Sequence, residues 1–219
     1  KQAQVAAAAQ PQPDINEIIE RAIKRARAQC EEVSVSKFGS EQWGHLSRTA
    51  GLRMQPAINL PCIASPPPRP TPKFQWSDEP EPEQADRYMP YLKSIVPISN
   101  RTSSPLVWLE GGNKHKSLLN IVGKEHVLHY TSIKGDTDAA IITRASNDVM
   151  LPSTGLCILF ELKKPENMGQ AAAYQAACQV VLANMLSPDF KPVVVLTDLQ
   201  DHWQLHWLNG SDLMSGSCD

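Results

Sequence analysis

The chain has 219 residues, of which 42% are hydrophobic and 20% charged, enough to bury one sizeable core. A formal charge of −2 excludes a global attraction to nucleic acid, so such a partner would have to be held by a local patch. No run approaches the roughly 18 to 20 apolar residues of a membrane span, which predicts a soluble chain with no membrane partner, and five cysteines without a C-x-x-C pair argue against a disulfide framework or a cysteine zinc site.

Residues 1–13 are Ala, Gln and Pro without periodicity and read as a flexible tail; a start at Lys1 without methionine reads as a fragment or processed form. Asp14 then opens a helix. It can cap free N–H groups, Glu17 follows three residues later, and Ile15, Ile18, Ile19, Ala22, Ile23 and Ala26 make one apolar stripe that ends near Gln29 to Glu31. Residues 14–55 are therefore assigned to an N-terminal helical segment. Basic groups cluster at Arg21, Lys24, Arg25 and Arg27, and again at Lys114, His115 and Lys116; both clusters read first as solvated surface. Residues 56–83 form a Pro-rich linker or loop, because the nine prolines between Pro56 and Pro82 remove donors and fix φ.

The remainder, 84–219, is expected to be one α/β domain, which the 14–55 helix could complete. Ala85, Tyr88, Met89, Leu92 and Ile95 have helical spacing over Gln84 to Ile95, with Pro90 starting or kinking the element, and Pro105 to Glu110 fits a short strand or a helical turn. Strands are predicted over Val127–Ile133, Thr137–Thr143 and Leu156–Lys163, the last with a continuous apolar run from Cys157 to Phe160 that suggests burial on both faces. A long Ala-rich helix follows, from about Gly169 to Leu186, stopped by Pro188. Val193–Thr197 reads as a buried strand, Asp198–His202 as a polar turn, and Trp203–Leu208 as a final strand with Trp203, Leu205 and Trp207 on one face.

Side chains two apart on a strand share a face, so Glu161 and Lys163 point together while Leu162 and Lys164 point oppositely. Charge at the end of a buried strand needs a partner or a task. The preceding strand brings Asp138, with Asp136 on the same face, so two acidic groups and a lysine converge if the strands pair. Two carboxylates suit a hard cation such as Mg²⁺ or Mn²⁺, which lowers the pKa of bound water and neutralises phosphate charge, while Lys163 can orient or deprotonate the nucleophile. Spacing alone fits equally well an Asp138 that ends a strand beside Gly135 and a Glu161–Lys163 surface pair.

The segment T-D-A-A-I-I (Thr137 to Ile142), followed by I-L-F-E-L-K-K (Ile158 to Lys164), resembles the D…E-x-K core of the PD-(D/E)xK nucleases, and the order of strands and helix is similar to that family's core. The resemblance implies a mixed sheet flanked by helices, with Asp138 and Glu161 as metal ligands and Lys163 serving the attacking water. Thr137 stands where the family nominally has proline. Gln170 and Tyr174 form a Q-x-x-x-Y pattern similar to that of RecB-like members, which implies a supporting role, although packing is the commoner meaning of such residues in an Ala-rich helix. Over Gly135 to Leu208 the chain also resembles the carboxyl-terminal domains of Crinkler (crinkling and necrosis) effectors. That likeness implies a virulence protein secreted and sent to a host nucleus.

Other candidates have plainer readings. Glu17 and Glu20 fit capping and a solvated face, and His202 and His206 lie four apart on a strand, roughly 13 Å, too far to share a metal. His126 and His129 would face opposite sides of a strand. Trp203 and Trp207 fit core better than base stacking, and Asp198 with Asp201 fits a turn. The leading expectation is a metal-dependent endonuclease acting on DNA. Its rival is an inactive nuclease-fold effector that binds a host nuclear protein or chromatin, and a phosphotransfer enzyme lacks a Gly-rich phosphate loop.

Overall fold

A computed structural model describes residues 32–60, 72–99, 101–110, 117–128 and 130–218. The tail, the Asp14 helix with its basic cluster and Glu17 and Glu20, the prolines 61–70, the cluster Lys114–Lys116 and His129 lie outside the described residues. In chain order the elements are β1 (Glu32–Ser34), α1 (Ser40–Thr49), β2 (Arg53–Met54), β3 (Ile58–Asn59), α2 (Ala85–Ile95), β4 (Leu106–Glu110), β5 (Ile121–Val122), α3 (Glu125–Leu128), β6 (Ser132–Lys134), β7 (Ala139–Thr143), α4 (Arg144–Asp148), β8 (Leu156–Leu162), α5 (Gln170–Leu186), β9 (Val193–Thr197), β10 (Trp203–Asn209) and β11 (Asp212–Cys218).

The main sheet is mixed, in the order β2-β11-β10-β9-β8-β7-β4, with β3 also pairing β11, and helices flank it. The pairs β4–β7, β7–β8, β9–β10 and β10–β11 are antiparallel, whereas β8 and β9 run parallel from Ile158↔Val193 to Leu162↔Thr197. A parallel pair needs a crossover, and α5 supplies it. A small second sheet, β1-β6-β5, sits beside the start of β7.

Alternation along the strands separates two cores. Ala140, Ile142, Leu159, Val194 and Leu196 pack with Ala172, Ala176, Ala177, Val180 and Ala183 of α5. Ala139, Ile141, Phe160, Leu162 and Val195 pack instead with Phe74 and with Tyr88, Met89 and Leu92 of α2. Each fully buried Leu or Phe contributes about 1.5–3 kcal/mol. Strand β8 is thus buried on both sides, as its apolar run predicts. Pro90 lies inside α2, and the 105–110 segment is a strand.

Two elements differ from the sequence reading. The strand expected over Val127–Ile133 is the single helical turn α3 followed by the short β6: Gly123 turns the chain at φ +75°, and the N–H groups of Val127 and Leu128 both reach the Lys124 carbonyl at 2.9 Å. Within the 14–55 segment, α1 buries Trp43 and Leu46, and Gln42 Oε1 accepts from the Gly39 N–H at 3.0 Å to hold its first turn. A last strand, β11, follows a hairpin turn at Gly210 (φ +61°) and was hidden by its polar composition, Met214 to Ser217. Through β11, the short strands β2 and β3 join the edge of the main sheet.

Candidate active site

The loop from β6 into β7 sets the first acidic group. At Gly135 an added Cβ would lie 2.5 Å from Val35 Cγ2, so glycine lets the 310 turn Val35–Lys37 press against this loop. Thr137, where the resemblance has proline, donates its hydroxyl to the Phe160 carbonyl at 2.8 Å, and the Asp138 N–H reaches that same carbonyl at 3.1 Å. Asp138 Oδ2 in turn accepts the Leu162 N–H at 2.7 Å. These three bonds fix Asp138 against the carboxyl end of β8.

Glu161 and Lys163 come from that end and share the face toward α5. Lys163 Nζ lies 2.6 Å from Glu161 Oε1, and the other carboxylate oxygen accepts from Gln179 Nε2 of α5. Gln179 also donates to the Asp136 carbonyl at 3.1 Å, tying helix, loop and strand together, while its own Oε1 is buried without a partner among the described residues. Glu81, from the turn Glu81–Gln84, has Oε2 4.0 Å from Lys163 Nζ, and its Oε1 accepts from the Lys164 N–H at 2.8 Å and Asn167 Nδ2 at 3.0 Å. Asp136 Oδ1 accepts the Thr137 N–H at 2.9 Å. Glu81, Asp136, Asp138, Glu161, Lys163 and Gln179 all line one cavity of about 350 Å³.

Four carboxylates around one ammonium make the cavity strongly acidic. Burial, followed by the nearby Glu161 charge, pushes the Asp138 carboxyl up to about 8. Burial works against the charge on Lys163, but Glu161, Asp138 and Glu81 outweigh it and hold the ammonium above the ordinary lysine value. The Tyr88 phenol is raised as well, by burial first and then by the fields of Asp138, Asp136, Glu161 and Glu81. A divalent cation would relieve this crowding of like charge. Among the described residues no cluster of three or more His, Cys, Asp or Glu is arranged to hold a metal; a hard ion entering this cavity would meet the carboxylates of Asp138 and Glu161 and would keep water in its other positions.

The structure brings Asp138, Glu161, Lys163 and Asp136 to one cavity, and leaves Gln170 and Tyr174 elsewhere. Gln170 Nε2 donates to the Tyr174 hydroxyl at 2.9 Å, and neither residue lines the cavity. Asp198 makes the turn expected of it, its Oδ1 accepting from the Gln200 and His202 N–H groups, and Trp203 and Leu205 pack on the aromatic core. Sequence reasoning missed Glu81 and Gln179. Glu81 is hidden among the prolines of P-E-P-E-Q, but Gln179 left a signal: one amide on a helix face of Ala172, Ala176 and Ala183. No protein-family model and no curated protein matches the chain.

Proposed function

We propose that this protein is a metal-dependent nuclease of the PD-(D/E)xK type that hydrolyses phosphodiester bonds of DNA. The observation that carries the reading is the meeting of Asp138, Glu161 and Lys163 at one cavity at the carboxyl end of β8. A bound Mg²⁺ or Mn²⁺ would lower the pKa of a water and offset the charge developing on the phosphate. Asp138 and Glu161 would hold that ion. Lys163, released from Glu161, would orient the attacking water and offset the negative charge developing on it. Gln179 keeps Glu161 aimed into the cavity, and Glu81 steadies the Lys164 backbone beside it. The resemblance of Gly135 to Leu208 to Crinkler effectors supports secretion and action in a host nucleus.

A second reading is a nuclease-fold effector that binds a host protein or chromatin without catalysis. One observation favours it: both oxygens of Glu161 are already taken, by Lys163 and Gln179. Nicking of supercoiled plasmid by the purified chain with Mg²⁺ or Mn²⁺ separates the two. The nuclease reading predicts cleavage that EDTA stops, that Asp138→Ala and Glu161→Ala abolish, and that Lys163→Ala slows by roughly 10²- to 10⁴-fold. No cleavage by folded wild-type protein would transfer the assignment to the binding effector.

A further inference from the structure

Among the described residues, the acidic cavity has a basic neighbour. A second, shallower cavity of about 270 Å³ is lined by Glu32, Val33, Ser34, Lys37 and Lys134, and Ser34 lines both. We infer that this second cavity seats a phosphate of the nucleic-acid strand next to the bond being cleaved, with Lys37 as its main cationic contact and Lys134 and the Ser34 hydroxyl beside it. The inference rests on the nuclease reading and adds to it the direction in which the strand leaves the site.

The wall is built from several elements. Ser34 of β1 is the register partner of Lys134 of β6, so the hydroxyl and the ammonium stand on neighbouring strands. Val35, 3% exposed, anchors the following turn against Gly135, and Gln175 of α5 donates to the Ser36 carbonyl at 2.9 Å. Ser34 and Ser36 share a hydrogen bond at 2.8 Å, in which one hydroxyl proton stays available to an acceptor. Lys134 is held by Glu32 at 2.8 Å, whereas Lys37 is exposed and makes no ion pair among the described residues. Lys134 precedes Asp138 by four residues, at most about 14 Å of chain, within reach of a phosphate flanking the scissile one. A strand crossing the carboxylates would be repelled except where the cation covers them, and the Lys37 side gives it a complementary surface.

The test is fluorescence anisotropy of a fluorescein-labelled DNA oligonucleotide, single- and double-stranded and carrying non-hydrolysable phosphorothioate linkages, with the full chain and Mg²⁺ across a salt series. Wild type, Lys37→Glu, Lys37→Ala and a charge-matched control, Lys191→Glu at the opposite end of the sheet, are compared. We expect Lys37→Glu to weaken binding by about ten-fold, and Lys37→Ala to make the slope of log affinity against log salt shallower by about 0.7–0.9. Lys191→Glu should match wild type, and in cleavage Lys37→Glu should raise KM and leave kcat unchanged. Equal binding by wild type and Lys37→Glu, or no DNA binding by wild type, overturns the inference. Cleavage indifferent to Lys37 would remove the phosphate seat and leave the nuclease; Lys37-dependent binding without cleavage would do the reverse.

Discussion

The two faces of the main sheet are built from different materials. Toward α2 the sheet presents Phe160, Leu162 and Trp108, met by Phe74, Trp76 and Tyr88; Phe74 and Trp76 stand edge to face at 5.0 Å, and Trp108 lies 5.3 Å from Phe160. Toward α5 it meets alanines, and the same face carries Asp138, Glu161 and the amide of Gln179. Large rings close one side and bury most area per residue. Small side chains let the helix come close on the other and leave room at its edge for charge. Strand β8 serves both, because Phe160, Glu161 and Leu162 alternate between the faces, so a register slip of one residue would exchange core for site. The difference teaches that rings fill one face while the other, built on small side chains, keeps room for the acidic cluster.

Substitutions should divide along the same line. The largest effect is expected on the aromatic face: Phe160→Ala should cost about 3–5 kcal/mol and lower Tm by about 10 °C in thermal denaturation. Asp138→Asn, on the alanine face, should instead raise Tm by a few degrees in EDTA, since the amide keeps an acceptor for the Leu162 N–H and removes a buried charge. Its sign follows from pH. The folded-state carboxyl rises from the ordinary 3.8 to about 8, so the wild-type protein loses stability as pH climbs through that interval, and the variant's advantage should grow with it and level off above about 8. A destabilised Asp138→Asn protein would contradict the division.

The smallest effect is at His206, on the strand face of Leu208 toward α5. It is 3% exposed, neither ring nitrogen has a partner among the described residues, and burial depresses its pKa to about 4. Between about 6.5 and 4 the unfolded chain takes up a proton there that the folded chain refuses, so stability is lost as pH falls through that window. His206→Leu should flatten the loss and add about 1 kcal/mol at neutral pH, measured by urea denaturation. An unchanged acid limb would mean that His206 is solvated in the folded protein.

Legibility followed the same physics. Strand β9 was read at its true limits, Val193–Thr197, and β8 and α5 within a residue, because continuous burial leaves continuous apolar runs. Strand β11 was lost because a strand rich in Ser and Gly has no such run. Glu161 and Lys163 were legible as a pair two apart, and their bond is local. Glu81 was not: its hydrogen bond to Lys164 spans 83 residues and depends on how the Pro-rich stretch folds back, which no spacing announces. Gln170 and Tyr174 fit a pattern, but they satisfy each other.

The central claim is that Asp138 and Glu161 hold one divalent ion. Titration calorimetry of Mn²⁺ into the metal-free full chain at neutral pH tests it without requiring any substrate. The account predicts one binding event in wild-type protein, accompanied by proton release as Asp138 ionises, and no event in Asp138→Ala or Glu161→Ala variants that keep the wild-type circular dichroism. Absence of binding in the wild type, or equal binding by the folded variants, would contradict it.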